Sequence, residues 1–130
     1  MGTIAKVLLV DDDPDIRMLG QLCLQRVGGW DVTAVASGDE AIVAAAQDLP
    51  DLIVLDMMMP GRDGLSTLGA LRRQPATAQI PVVFMTAKVQ RAEVEAYLAC
   101  GAQGVVTKPF DPMTLPAELT ALTAPDTDLH

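Results

Sequence analysis

Chemically active side chains follow short apolar segments at four separate places in the chain. Three consecutive carboxylates come first, then one further carboxylate, one hydroxyl and one ammonium group: Asp11, Asp12 and Asp13 after residues 4–10, Asp56 after 52–55, Thr86 after 82–85, and Lys108 after 104–107. If each apolar segment is a strand of one parallel sheet, the carboxyl ends of the strands lie at the same edge, where open α/β sheets bind ligands. These side chains are therefore expected to share one pocket.

Such a pocket suits phosphoryl transfer. Carboxylates brought close together raise each other's pKa and destabilise the fold unless a cation neutralises them. Oxygen ligands with open coordination positions favour Mg²⁺, which keeps several waters and accepts phosphate oxygens; Mn²⁺ is an alternative ion. With Lys108 opposite, the ion would hold a phosphoryl group over one carboxylate, and attack by that carboxylate gives an aspartyl phosphate.

Composition excludes several other classes of function. The 130-residue chain is 50% hydrophobic and carries a net charge of -8. This size and charge predict one folded domain that repels nucleic acid and anionic membrane surfaces. Two cysteines and one histidine, the terminal His130, cannot form a four-ligand zinc site or provide an internal histidine base. No apolar stretch is long enough to span a membrane and no signal peptide is evident, so a cytoplasmic location is expected.

The elements that must position these residues alternate regularly. Five short apolar segments without polar alternation predict strands buried on both faces of a parallel sheet. Five helices, one after each strand, have start signals: Asp13-Pro14, the capping box beginning at Ser37, Asp63, the region of Gln90, and Asp111-Pro112. The fold class is α/β, with one domain over residues 1–123 and a loose polar tail over 124–130.

Five motifs carry a family resemblance. They occur in order as VLLVDDDP (7–14), DLIVLDMMMP (51–60), DG (63–64), MTA (85–87) and VTKPF (106–110). Over about residues 4–123 the chain resembles the receiver domain of bacterial response regulators in two-component signalling. The resemblance implies a flavodoxin-like three-layer (βα)5 sandwich whose five parallel strands are ordered 2-1-3-4-5.

The resemblance also implies a role for each site residue. Asp56 would be the phosphoacceptor, and Thr86 and Lys108 would contact the phosphoryl group. The Mg²⁺ ligands would be Asp12, Asp56 and the backbone carbonyl of Met58, with Asp11 acting largely through water. The Lys108–Pro109 peptide bond would be cis, which would aim the lysine into the site.

Three positions bear on how the domain would switch. Many receivers carry an aromatic residue three positions before the lysine, but here that residue is Val105. The aromatic half of the family's switch is therefore expected to be missing. By the same resemblance, Met58 and Lys88 occupy positions at which family members tune the lifetime of the acyl phosphate. Because the apolar Met58 side chain cannot orient an attacking water, a longer lifetime is favoured.

The resulting hypothesis is a stand-alone phosphoacceptor domain. Its phosphoryl donor would be a histidine kinase or a histidine phosphotransfer protein. Its output would be contact with an unidentified downstream protein or onward phosphotransfer, and it would be a monomer or weak homodimer. It is not expected to be a multiple-turnover enzyme.

Two alternatives remain at this stage. One is a metal-dependent phosphohydrolase, which needs a second acid–base residue and a substrate cap. Met58 stands where that residue would be, and the chain has no length for a cap. The other is a binding module that has lost phosphorylation, against which the complete acidic set argues.

Overall fold

The computed structural model describes residues 4–87 and 90–124, and strands and helices alternate throughout. The strands are β1 (Lys6–Val10), β2 (Asp31–Val35), β3 (Leu52–Asp56), β4 (Val82–Thr86) and β5 (Gly104–Thr107). The helices are α1 (Pro14–Arg26), α2 (Gly38–Asp48), α3 (Gly64–Arg73), α4 (Arg91–Ala99) and α5 (Leu115–Thr123). The strands form one parallel sheet in the order β2-β1-β3-β4-β5, which confirms the predicted fold.

The sheet divides the apolar side chains into two cores. Alternate residues of β1 point to opposite faces, so Leu8 packs with α2 and α3 while Leu9 packs with α1 and α5. Both faces are buried, which explains why the strand segments lack polar alternation. In the ranges that the structure describes, no helix has the length and apolar character needed to cross a membrane.

Side-chain caps begin three of the helices where the sequence predicts them. Asp13 accepts hydrogen bonds from the backbone N–H groups of Asp15 and Ile16. Ser37 accepts from the Glu40 N–H, and Asp63 from the Ser66 N–H. These acceptors satisfy backbone donors that have no partner within the first turn. The loops that precede α1, α2 and α3 therefore end at fixed positions.

Helix α5 begins three residues later than predicted. Instead of opening a helix, Asp111 stabilises a turn: its side chain accepts from the Met113 N–H at 2.9 Å and its carbonyl from the Thr114 N–H at 3.1 Å. A helix beginning at residue 112 would need the N–H of residue 116 to donate to the carbonyl of residue 112, and Pro116 has no N–H. When the helix begins at Leu115, Pro116 falls in the first turn, where no donor is needed.

Of the predicted tail, only Ala124 lies within the described residues. Lys88, assigned a role in phosphate lifetime from sequence, and His130 lie outside them.

Candidate functional site

Three carboxylates meet where β1 and β3 end. Asp11 follows β1 directly, Asp12 comes next, and Asp56 is the last residue of β3. One oxygen from each lies within 4.8 Å of the others. Asp11 is fully buried and Asp56 is 3% exposed, whereas Asp12 is exposed to solvent. The group is thus a buried acidic pair with a third carboxylate at its mouth.

Lys108 reaches this pocket from the end of β5. Its Nζ lies 3.2 Å from Asp11 Oδ2 and 3.3 Å from Asp56 Oδ1, and its side chain is 21% exposed. The Lys108–Pro109 peptide bond is cis, as the resemblance implies. With both distances this short, the ammonium group bridges the two buried carboxylates.

Thr86 ends β4, between the strands that carry Asp56 and Lys108. It is 3% exposed, and its carbonyl accepts the Lys108 N–H at 3.0 Å. In the sheet register it pairs with Thr107, while Asp56 pairs with Met85. The Thr86 backbone is thus hydrogen-bonded directly to the residue that carries the ammonium group.

The loop after β3 lies tightly over the site. The Met58 N–H donates to Asp56 Oδ1 at 3.3 Å, and its side chain is 73% exposed. A Cβ on Gly64 would lie 2.9 Å from the Asp56 carbonyl oxygen, so only glycine lets α3 begin this close to the loop. Lys108 Nζ and the Met58 N–H therefore both contact Asp56 Oδ1.

The surroundings shift the ionisation of two groups in the pocket. Burial, and then the charge of Asp11, raise the pKa of Asp56 to about 6, against the lowering effects of Lys108 and the Met58 N–H. Burial lowers the pKa of Lys108, but its two carboxylate neighbours raise it more, so it lies above its ordinary value. At neutral pH Lys108 is therefore charged and Asp56 is mostly ionised.

These residues fit a divalent cation. Three carboxylates and one ammonium leave two uncompensated negative charges at neutral pH. A small ion with oxygen ligands at about 2.1 Å places its ligands no more than about 4.2 Å apart, and one oxygen from each of the three carboxylates already lies within 4.8 Å of the others. The hard oxygen donors match Mg²⁺ or Mn²⁺. The Met58 thioether is a soft ligand that these ions do not favour, and its side chain is exposed to solvent.

The raised pKa of Asp56 predicts that the metal-free protein becomes less stable as pH rises. The folded state holds a proton on Asp56 up to about pH 6, whereas the unfolded chain releases it near 3.8. Folding stability from this group should thus fall by on the order of 2 kcal/mol between about pH 4 and pH 7, and change little above. Melting temperatures in EDTA across this range measure it. Asp56→Asn should remove this part of the slope, and an unchanged slope in that variant would contradict the assignment.

Two residues have surroundings that the sequence did not reveal. Arg17 donates from Nη1 to the Asp11 carbonyl at 2.7 Å. The available signal was its place in the first turn after the Asp13 cap, since helical side chains lean back towards the N-terminus. Tyr97 of α4 packs edge-on against Phe84, with ring centroids 5.4 Å apart, and belongs to the same core as the half-buried Val105.

Comparison with known proteins identifies the same region. Residues 7–120 match the response regulator receiver domain family. The sequence is 38% identical over 120 residues to the response regulator PleD of Caulobacter vibrioides, covering 92% of this chain and 26% of PleD. It is 36% identical over 116 residues to the DNA-binding response regulator MtrA of Mycolicibacterium smegmatis, covering 89% of this chain and 49% of MtrA.

Solved structures agree with the sequence matches. The chemotaxis response regulator CheY4 of Vibrio cholerae superposes with a TM-score of 0.85 at 34% identity, covering 92% of this chain and 99% of that one. The receiver domain of the Francisella response regulator 1452 superposes with a TM-score of 0.77 at 32% identity, covering 91% and 95%. The chain thus spans nearly all of these structures but only a quarter to a half of PleD and MtrA.

Proposed function

The chain belongs to the response regulator receiver domain family, and from that premise we propose that it accepts a phosphoryl group on Asp56 in a Mg²⁺-dependent reaction. Receiver domains are signalling domains that interact with histidine kinases or histidine phosphotransfer proteins. The phosphoryl group would therefore arrive from a phosphohistidine on such a partner.

In this reaction an Asp56 carboxylate oxygen attacks the phosphorus atom. The bond between phosphorus and the imidazole nitrogen of the donor breaks, and its electron pair stays on that nitrogen, which takes up a proton. Ionised Asp56 is the required nucleophile, and its pKa of about 6 keeps it ionised at neutral pH. Phosphoryl transfer otherwise requires mainly positioning and charge stabilisation.

Receiver domains bind Mg²⁺ at an acidic pocket, and here Asp12, Asp56 and the Met58 carbonyl would hold it, with Asp11 acting through water. When bound, the ion neutralises charge on the phosphoryl oxygens. Lys108 supports the same task because its ammonium group already contacts Asp56 and can form an ion pair with an incoming phosphoryl oxygen. Thr86 would donate its hydroxyl to another phosphoryl oxygen.

Several finer parts of this function remain predictions. They are the 1–123 domain limits, action as a stand-alone domain, a cytoplasmic location, a monomeric or weakly dimeric state, and no binding to nucleic acid. The nearly complete coverage of the CheY4 chain supports an autonomous domain, and the net charge of -8 disfavours nucleic acid. The exposed, apolar Met58 side chain supports a long-lived acyl phosphate, because it cannot orient a water.

The observation that carries the proposal is the ion pairing of Lys108 with both buried carboxylates, Asp11 and Asp56, of one acidic pocket. The test is intact mass after incubation with phosphoramidate, whose phosphorus–nitrogen bond resembles that of phosphohistidine. We expect a gain of one phosphoryl group with Mg²⁺, little gain in EDTA, and loss of the added mass with hydroxylamine, which cleaves acyl phosphates. No gain with Mg²⁺ would reject the proposal, and sustained hydrolysis of a phosphate ester would favour a phosphohydrolase instead.

A further inference from the structure

Asp12 is the least constrained carboxylate of the pocket. It is exposed, and none of the hydrogen bonds or ion pairs found among residues 4–87 and 90–124 engages its side chain. A flexible carboxylate is a poor ligand, because ordering its side chain on binding costs entropy. Something other than its own contacts must direct it towards Asp56.

The backbone before Asp12 is held firmly through Asp11. The Asp11 N–H donates to the Val35 carbonyl at 3.2 Å. Its Oδ1 accepts the Asp13 N–H at 3.0 Å, and its Oδ2 contacts Lys108 Nζ at 3.2 Å. Its remaining polar atom, the carbonyl oxygen, accepts Nη1 of Arg17 at 2.7 Å.

That last contact controls Asp12 directly. The carbonyl of Asp11 belongs to the planar peptide group that joins Asp11 to Asp12, so fixing its oxygen also fixes the nitrogen and Cα of Asp12. On the other side of Asp12, Asp11 Oδ1 holds the Asp13 N–H, so the two contacts together restrict the direction in which the Asp12 side chain leaves the backbone. Arg17 is itself anchored, since its N–H donates to the Asp13 carbonyl at 2.9 Å and its side chain is half-buried.

We propose that Arg17 is a positioning residue of the acidic pocket, which orients Asp12 for the divalent ion by holding the Asp11 carbonyl. This inference rests on the proposed function and adds a residue to it. The competing explanation is that Arg17 only satisfies a carbonyl for stability, without any effect on metal affinity.

The test compares Arg17→Gln with Arg26→Gln. Arg26 is exposed in the last turn of the same helix, so the second variant removes the same charge away from the pocket. Loss of an outer contact to a metal ligand costs about 10-fold to 100-fold in affinity, so we expect Mg²⁺ to bind at least about tenfold more weakly to Arg17→Gln than to Arg26→Gln. Arg17→Lys, which keeps a charged donor, should recover part of the loss. Equal Mg²⁺ affinities in the two glutamine variants would overturn the proposal.

Two further measurements follow the effect of Arg17 to Asp12, the first by showing that the contact is lost locally and the second by separating positioning from stability. In the metal-free protein, the NMR signals of the Asp11 carbonyl carbon and the Asp12 amide should move in Arg17→Gln and stay in place in Arg26→Gln. In an Asp12→Ala background, Arg17→Gln should cause no additional loss of Mg²⁺ affinity, because the residue through which it acts is gone. A further tenfold loss in that background would show that Arg17 acts elsewhere.

The proposed function fails separately from this inference. If the wild-type chain binds Mg²⁺ but gains no phosphoryl group, the function is wrong while the variants still decide the role of Arg17. If the wild-type chain binds no Mg²⁺, both are wrong.

Discussion

An Asp56→Asn variant is expected to gain no phosphoryl mass under conditions in which the wild-type chain is fully modified. Asparagine has nearly the same shape, and its amide oxygen can still accept from the Met58 N–H and from Lys108, as Oδ1 does. It lacks the negative charge that makes a carboxylate a nucleophile. The expected loss is therefore chemical, without a loss of structure.

The same variant should be at least as stable as the wild type near neutral pH without metal. The substitution removes a charge whose pKa is raised by burial and by Asp11, so it relieves an unfavourable interaction of the folded state. A melting temperature above that of the wild type, together with no gain of phosphoryl mass, would show that the variant loses the chemistry while keeping the fold. Melting in EDTA and intact mass with phosphoramidate and Mg²⁺ measure them side by side.

Asp13→Asn is the matched control for this variant. Asp13 belongs to the same acidic run, but its carboxylate caps α1, and asparagine caps a helix equally well. Phosphorylation should persist in this control. If Asp56→Asn gained as much phosphoryl mass as the wild type, or if Asp13→Asn gained none, the phosphoacceptor would be a residue other than Asp56.

The fold class could be predicted from sequence because each strand is marked by a local apolar segment, and because parallel strands joined by helices follow general packing rules. Asp56 and Lys108 lie far apart in the chain, yet each follows a continuous apolar segment. Parallel strands with helical crossovers bring such ends to one edge. The strand order came from the family resemblance, since local patterns do not determine which strands are neighbours.

Other features depend on contacts that local patterns do not contain. Two signals conflict at the start of α5: Asp111 favours a helix from residue 112, whereas Pro116 lacks the N–H that such a helix needs. The helix begins at Leu115, as the proline requires. The contact between Arg17 and the Asp11 carbonyl depends on how α1 leans on the end of β1. The pKa of Asp56 depends on burial and on the distance to Asp11, which appear only once the chain is folded.

Lys108→Met should slow phosphorylation and weaken the metal-free fold together. Methionine keeps much of the aliphatic stem and removes the ammonium group that contacts Asp11 and Asp56. Loss of one donor aimed at developing charge in a transition state costs about 10² to 10³ in rate, and we expect a decrease of about 10² in the rate of mass gain. Quench-flow or timed intact-mass measurements at saturating Mg²⁺ test this directly.

The stability effect follows from the charges left behind. Without Lys108, two buried carboxylates face each other with no cation between them, and removing one partner of a buried ion pair costs about 3 to 5 kcal/mol. Since Lys108 is 21% exposed and protonation of Asp56 can relieve the repulsion, we expect about 2 kcal/mol at neutral pH. The loss should be smaller at about pH 5, because the pKa of Asp56 rises further once the lowering effect of Lys108 is absent.

Mg²⁺ and Lys6→Met distinguish this charge effect from a simple packing defect. Lys6 begins β1 at the opposite end of the sheet, where its Nζ donates to the Asp48 carbonyl at 3.1 Å, so its variant carries the same substitution outside the pocket. A divalent ion stabilises any variant whose pocket binds it, and in Lys108→Met it also replaces the lost positive charge, so saturating Mg²⁺ should raise the melting temperature of Lys108→Met by clearly more than that of Lys6→Met. It should not restore the rate, because the ion and the ammonium group act on the phosphoryl group from different positions. A Lys108→Met variant whose stability responds to Mg²⁺ and to pH no more than that of Lys6→Met would show that the lysine is held for packing rather than for its charge.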